Sequence, residues 1–200
     1  MSRIVDYYMS PMSPWSYLGH GRLLELCALH GADIRIKPID LGNRIFPVTG
    51  GVPLAARPPQ RKAYRLVELK RWSELREVPL NLHPKHFPKP ADEAARLIIA
   101  AGLVGGEDAA IRLAGRMMQG VWRDELDLSD THTLRALVHE VGLQVDDVFH
   151  RVPDAHQIYE SNTQEALDRG VFGVPWYVFD DEPFWGQDRL EMLERALARR

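Results

Sequence analysis

The sequence contains a single cysteine, Cys27, and it has neither a long apolar run nor an excess of charge of one sign. One thiol cannot form a disulfide within the chain, which excludes a disulfide-stabilised fold and is typical of the reducing cytoplasm. The longest apolar stretches fall far short of the roughly 20 residues that span a bilayer. The first residues show no secretory signal. We therefore predict a cytoplasmic protein without a membrane segment.

The charge balance excludes a broad basic surface. The chain has 25 Lys and Arg against 28 Asp and Glu, so its formal net charge is −3. No global positive field attracts nucleic acid or an anionic membrane. The 200 residues, 45% of them hydrophobic, suit one domain, or one domain with a sizeable insertion.

Strand and helix signals alternate at both ends of the chain. Strands over residues 4–9 and 34–39, with a helix from Pro14 to about His30 between them, predict a βαβ unit with parallel strands. The C-terminal pattern predicts strands over 176–179 and 184–185 and a helix over 187–199.

The middle of the chain is predicted to be mostly helical. Residues 41–60 contain several glycines and prolines and predict a long loop. Helical patterns follow over 61–76, 91–102, 107–122 and 130–141, with shorter helical pieces over 146–150 and 163–169. The order βαβ, helical block, ββα predicts an α/β fold with the helical block as a large insertion. We expect residues 1–42 and 170–200 to form the sheet domain, and residues 60–160 to form the inserted helical domain.

Residues 13–16, Ser-Pro-Trp-Ser, lie where the first predicted strand meets the first predicted helix. Ser13 is suited to cap the helix, with Pro14 at its first position. A helix N-terminus also favours anions, and a hydroxyl there can stabilise an external thiolate. A serine hydroxyl has too high a pKa for disulfide exchange. Ser13 is therefore either a plain helix cap or a hydroxyl that holds a thiolate.

Two further segments contain candidate binding residues. Pro175 opens a predicted strand after Val174; its peptide bond is either an ordinary trans bond or a cis bond that exposes the Val174 backbone to a bound peptide. Residues 185–189, Trp-Gly-Gln-Asp-Arg, open the final helix. They are either a plain helix start or an anion site whose Asp188 carboxylate meets the ammonium of a γ-glutamyl group.

Other candidates favour ordinary structural roles. His83 and His86 are three residues apart without a nearby Cys, Asp or Glu cluster, so we predict no metal site. Cys27 is expected in the core, and Trp122 is either a core residue or a substrate platform. A basic run is interpreted as a solvated helix face that borders the site: Arg57, Arg61, Lys62 and Arg65.

Together these segments resemble the 2-hydroxychromene-2-carboxylate isomerase family, which is related to kappa-class glutathione transferases and the DsbA-like branch of the thioredoxin superfamily. The resemblance implies a thioredoxin-like domain with an inserted helical domain, assembled as a cytoplasmic homodimer. The segments that carry it span nearly the whole chain in the family's order: residues 4–8, 13–18, 69–72, 120–122, 169–175 and 185–190.

The resemblance also implies roles for particular residues. Ser13 is the expected catalytic serine, which stabilises the thiolate of the cofactor glutathione. Val174, before a cis Pro175, is expected to pair with the glutathione backbone. The residues expected to hold the γ-glutamyl end are Trp185, Gly186, Gln187 and Asp188.

The remaining polar candidates lie elsewhere in the sequence. Arg44, Lys62 and His86 are candidates for contacts with the cofactor or with a substrate carboxylate. The family often has an acidic residue where this chain has Ser10, and related members often have an Asn that contacts glutathione where this chain has residues 50–55, which include no Asn.

The implied activity is the glutathione-dependent conversion of 2-hydroxychromene-2-carboxylate, an aromatic substrate, to trans-o-hydroxybenzylidenepyruvate in aromatic catabolism, with glutathione regenerated. A kappa-like glutathione transferase that conjugates electrophiles shares every motif and is the alternative. A non-catalytic thioredoxin-like binding module is a third interpretation. A dithiol oxidoreductase is excluded, because the chain has no second cysteine.

Overall fold

The computed structural model describes residues 3–199. Its four-stranded sheet has the order β2-β1-β3-β4. β1 is parallel to β2, whereas β3 is antiparallel to both β1 and β4. This topology confirms the predicted βαβ unit and C-terminal hairpin. The strands are β1 (Ile4–Met9), β2 (Asp33–Pro38), β3 (Trp176–Phe179) and β4 (Glu182–Trp185).

Helices connect and cover the strands. One joins β1 to β2, most of the others lie between β2 and β3, and the last follows β4. They are α1 (Pro14–Leu29), α2 (Phe46–Thr49), α3 (Pro59–Arg76), α4 (Asp92–Gly105), α5 (Glu107–Trp122), α6 (Thr131–Glu140), α7 (Val145–His150), α8 (Val152–Asp168) and α9 (Leu190–Ala198).

Helix α8 is much longer than the sequence pattern predicts. The prediction of a short helical piece over 163–169 is wrong, because α8 begins at Val152. Pro153 lies in its first turn, where a backbone N–H has no helical partner, so the proline starts the helix rather than breaking it. Thr163 is accommodated in mid-helix because its hydroxyl donates to the Tyr159 carbonyl at 2.8 Å and accepts from the Asp40 N–H at 3.0 Å.

The predicted loop over residues 41–60 is mostly helical turns, so the prediction of an irregular segment is wrong. A π-helical turn, Leu41–Ile45, runs directly into α2, and a 3₁₀ turn, Leu54–Ala56, precedes α3. The Asp40 carboxylate stabilises the first turn by accepting the Asn43 N–H at 2.9 Å. Residues of this segment form one wall of a cleft described below.

The core has a large and a small part because successive β1 side chains point to opposite faces of the sheet. Tyr7 belongs to the main core, where its ring stacks on Tyr177 at 5.4 Å. Tyr8 belongs to a smaller cluster with residues of α8 and β3. The main core contains residues from the predicted sheet domain and from the predicted helical insertion. The two parts therefore pack on each other, and their division into domains stays a prediction.

His20 on α1 gives the fold a pH dependence. Its Nδ1 is buried without a hydrogen-bond partner among the described residues. Burial lowers the pKa of the imidazole from 6.5 to about 4, against a smaller opposing effect of a backbone hydrogen bond at Ile111. Between these pH values the unfolded state binds the proton and the folded state does not. We expect the free energy of unfolding to be unaffected by this group above pH 6.5 and to fall by about 3 kcal/mol as the pH is lowered to 4.

Denaturant unfolding at a series of pH values measures this loss. The His20→Leu variant should lack this part of the pH dependence, whatever its absolute stability. A variant whose stability falls with pH as steeply as that of the wild type would show that His20 is not the group responsible.

Candidate active site

Ser13 lies between the end of β1 and the first residue of α1. Its Oγ accepts the Ser16 N–H at 3.1 Å, and its own N–H donates to the Ser10 carbonyl at 3.0 Å. These contacts confirm that Ser13 caps α1. Because the oxygen accepts from the helix, the hydroxyl hydrogen stays available to donate to a group in the adjacent cleft.

Two adjoining clefts surround this helix start. The Ser13 cleft has a volume of about 460 Å³ and contains Ser13, Phe46 and Phe87 in its lining. The Asp188 cleft has a volume of about 670 Å³ and contains Asp188 and Trp72 in its lining. The side chains common to both linings are Trp15, Arg57, Arg61, Arg65, Val174 and Trp185. An extended ligand that crosses Val174 therefore reaches both clefts.

The peptide bond between Val174 and Pro175 is cis. This confirms the isomer that the resemblance implies, and the trans alternative is wrong. The backbone of Val174 makes no hydrogen bond to another residue within 3–199. The Pro175 carbonyl accepts the Gly186 N–H at 2.9 Å, so the cis peptide is joined to the segment that bears Asp188. The structure thus leaves the Val174 peptide groups unpaired where the clefts meet.

Gly186 allows Asp188 to lie close to the backbone at the entrance to α9. Gly186 has φ +100°, and a Cβ there would lie 2.3 Å from Asp188 Oδ1. Asp188 Oδ2 accepts a hydrogen bond from Arg189 Nη1 at 2.6 Å. Gln187 is held differently, because its Oε1 accepts from Arg76 Nε at 3.3 Å and its carbonyl from Arg76 Nη2 at 3.2 Å. The Asp188 carboxylate is therefore the anionic group that this segment presents to the cleft.

Trp185 forms an aromatic wall between the clefts, and 52% of it is exposed. Its ring meets the Phe172 ring at 4.5 Å, close to edge-on. A Cβ on Gly173 would lie 2.6 Å from the Trp185 Nε1, so the indole rests against bare backbone. Of the predicted binding residues, Ser13, Val174, Trp185, Gly186, Gln187 and Asp188 all line one or both clefts. Pro175 does not, and its contribution is the cis bond.

The three polar candidates for substrate contacts are not brought to the clefts. Arg44 is paired with Glu160 at 2.7 Å, and Lys62 donates to the Ala55 carbonyl at 2.7 Å. His86 lies 3.2 Å from a carboxylate oxygen of Asp127. Arg44, Lys62 and His86 are absent from both cleft linings, because each side chain has a partner elsewhere.

Three residues of the basic run, Arg57, Arg61 and Arg65, line both clefts, so the run borders the site as the sequence interpretation expected. Arg57 and Arg65 are partly buried, so the solvated-face interpretation is wrong for these two, whereas Arg61 is exposed. The four-residue spacing of Arg61 and Arg65 was the available signal, since residues four apart share a helix face. Arg57 lies before α3 begins.

Residues 3–199 contain no group of three or more His, Cys, Asp or Glu side chains placed to hold a metal ion. Within the same range, no helix is long and apolar enough to cross a membrane.

The chain is similar to known proteins over nearly its whole length. The family model of the DSBA-like thioredoxin domain matches residues 4–198. The 2-hydroxychromene-2-carboxylate isomerase of Pseudomonas putida is 34% identical over 98% of this chain and 95% of its own length. The chain belongs to the 2-hydroxychromene-2-carboxylate isomerase family.

Other relatives agree with this membership and confirm the predicted thioredoxin-like fold. A solved structure of a 2-hydroxychromene-2-carboxylate isomerase superimposes with a TM-score of 0.79 at 33% identity, over 98% of this chain and 95% of that one. Glutathione S-transferase kappa 2 of Caenorhabditis elegans is more distant, with 24% identity over 98% of this chain and 92% of its own.

Proposed function

We propose that this protein is a glutathione-dependent isomerase that converts 2-hydroxychromene-2-carboxylate to trans-o-hydroxybenzylidenepyruvate in aromatic catabolism. The observation that carries the proposal is that the Ser13 hydroxyl and the Val174 backbone, which has no hydrogen-bond partner among the described residues, line the same cleft. The relatives named above support the reaction, and the contacts below support the cofactor.

The residues present fit three groups of glutathione: its sulfur, its peptide backbone and its γ-glutamyl ammonium. The capping hydroxyl of Ser13 can donate to a sulfur. The unpaired peptide groups of Val174 can pair with the peptide backbone of the ligand, as an added strand does. The Asp188 carboxylate can accept from the γ-glutamyl ammonium, a charge-assisted hydrogen bond. These three groups lie in the right order, because Val174 lines both clefts.

When bound, glutathione supplies a thiolate nucleophile that is returned at the end of the reaction. Ser13 stabilises the charged sulfur by donating its hydroxyl hydrogen. The N-terminus of α1 adds the positive end of its dipole at the same point. Both effects favour the thiolate over the thiol and so lower the thiol pKa.

The direct assay follows the ultraviolet spectrum of 2-hydroxychromene-2-carboxylate with and without glutathione. We expect conversion only when glutathione is present, with the glutathione concentration unchanged at completion. Consumption of glutathione would instead support a kappa-like transferase. Glutathione binding without any turnover would support a non-catalytic binding module. A substrate spectrum that does not change when glutathione is added would contradict the proposal.

Gly186→Ala tests the Asp188 contact. The added Cβ would collide with Asp188 Oδ1, and an alanine at φ +100° is strained. We expect Asp188 to be displaced and the Kd for glutathione to rise about tenfold, the size of one charge-assisted hydrogen bond. Calorimetric titration measures the change. Gly142→Ala is the matched control, because Gly142 also has a positive φ but a Cβ there meets nothing within 4 Å. Equal glutathione affinity in the two variants would contradict the role of Asp188.

The proposed enzyme is also expected to be a cytoplasmic homodimer, as the resemblance implies. Light scattering coupled to size exclusion tests the dimer, and a monomer at micromolar concentration would contradict it.

A further inference from the structure

We propose that Arg57 and Arg65 form a carboxylate-binding subsite in the Ser13 cleft that selects planar aromatic substrates bearing a carboxylate. The subsite deepens the proposed function and rests on it for the reaction that the bound molecule undergoes. The sequence interpretation placed both residues on a solvated helix face that borders the site and gave them no binding role.

The clefts contain positive charge that the described residues do not neutralise. Both of their carboxylates are already paired: Glu68 with Arg71 at 2.7 Å, and Asp188 with Arg189 at 2.6 Å. The remaining cleft arginines have no carboxylate within ion-pair distance among residues 3–199, although the whole chain has a net charge of −3. Arg57 and Arg65 are partly buried and Arg61 is exposed, and such a cluster of cations without counterions favours an anionic ligand. The charged residues of the two linings are Arg57, Arg61, Arg65, Glu68, Asp188 and Arg189.

Arg65 is held in place by aromatic rings rather than by an acid. Its guanidinium carbon lies 5.5 Å from the centre of the Phe87 ring and 5.8 Å from that of Trp122. Burial, and then the charge of Arg57, lower the pKa of Arg65 to about 10. The group is still protonated at neutral pH, so it presents a fixed, poorly hydrated cation to the cleft.

Arg57 is fixed by a single backbone contact. Its Nε donates to the Val52 carbonyl at 2.7 Å, and neither terminal nitrogen has a hydrogen-bond partner among residues 3–199. Burial, and then the neighbouring Arg61, lower the pKa of this guanidinium. A carboxylate would relieve this repulsion and could accept two parallel hydrogen bonds from the planar fork.

The rest of the Ser13 cleft suits a flat apolar ring. Its volume is about 460 Å³, and its apolar side chains include Met12, Phe46, Leu54 and Phe87. Phe87 lines only this cleft, so the Arg65 group packed on it lies on the Ser13 side of the junction. The proposed glutathione site reaches this cleft through the sulfur held by Ser13, and the apolar side chains around Arg65 suit an aromatic ring beside it. We therefore assign the Arg57 and Arg65 pair to the substrate carboxylate, and the binding experiment below distinguishes it from the glycyl carboxylate of glutathione.

Binding of chromone-2-carboxylate and of its neutral methyl ester tests the subsite without turnover. We expect the wild-type protein to bind the acid about 10- to 100-fold more tightly than the ester, since charged hydrogen bonds are lost in the ester. Arg65→Met and Arg57→Met should each remove most of this preference by weakening the acid and not the ester. Lys70→Met is the control. It also removes one positive charge, but Lys70 is exposed and absent from both linings.

The outcomes separate the subsite from the cofactor site. Equal affinity for acid and ester in the wild type, or an unchanged preference in both arginine variants, would overturn the proposal. It would also be overturned if the variants lost glutathione affinity and kept acid affinity, because the arginines would then serve the glycyl carboxylate. A wild-type protein that prefers the acid and fails to bind glutathione would support the subsite and contradict the proposed function.

Discussion

Replacing Ser13 by alanine is expected to lower kcat/KM for 2-hydroxychromene-2-carboxylate by about 100- to 1,000-fold, the usual effect of removing one donor to a developing or bound anion. The hydroxyl is the group positioned to donate to a thiolate, because its oxygen already accepts the Ser16 N–H at 3.1 Å. The KM for glutathione should change less than kcat if the thiol still binds but ionises poorly. Steady-state kinetics with each substrate varied in turn measure both.

Two variants separate this role from helix capping. Ser13→Ala also removes the cap and should cost about 1 kcal/mol of stability, whereas Ser13→Gly costs only a few tenths. Both lack the hydroxyl, so both should lose activity equally despite their different stabilities. Ser16→Ala is the matched control, since the Ser16 Oγ is buried without a partner among the described residues. Activity that follows stability across the three variants would mean that Ser13 acts only as a cap.

Replacing Trp122 by alanine is expected to cost about 3–5 kcal/mol of stability. Trp122 is fully buried, so the structure places it in the core rather than at the surface of a substrate platform. Its ring meets that of Phe87 at 4.7 Å, and its carbonyl accepts the Asn81 N–H at 2.7 Å. The cavity left by the ring would also remove one of the two supports of Arg65. Guanidinium unfolding at neutral pH measures the loss.

Trp185→Ala is the natural comparison, because the exposed Trp185 ring covers little of the core. We expect it to change stability by less than about 1 kcal/mol, while weakening ligand binding in the clefts. Trp122→Phe should lie between the two, since it keeps an aromatic ring and removes an indole N–H that has no partner within residues 3–199. A Trp122→Ala protein as stable as Trp185→Ala would contradict the core assignment.

The ends of the chain could be predicted from the sequence because their signals are local. The start of the βαβ unit could be predicted from the run over 4–9, from Ser13 and Pro14 at the beginning of α1, and from Gly31 after its end. Helix α8 could not be predicted in full, because Pro153 resembles a helix break and the helical pattern is clear only from Thr163 onwards. Thr163 is accommodated through a contact with Asp40, more than a hundred residues away in sequence.

The candidate site was predictable only in part for the same reason. Ser13, Val174 and Asp188 lie in short segments with recognisable turn chemistry. The role of Arg65 depends on Phe87 and Trp122, which meet it only in the folded chain. Conversely, Arg44 carries a suitable charge, but Glu160 on α8 already neutralises it. The sequence does not show which cations are paired.

The central claim, that Ser13 holds a glutathione thiolate, is tested most directly by the pKa of the bound thiol. Thiolate absorbance in the ultraviolet can be followed against pH for glutathione alone, with the wild-type protein and with Ser13→Ala. We predict that the wild-type protein lowers the thiol pKa by about one unit or more, and that Ser13→Ala restores it towards the free value. A bound thiol with the pKa of free glutathione, or an equal pKa in both proteins, would contradict the account.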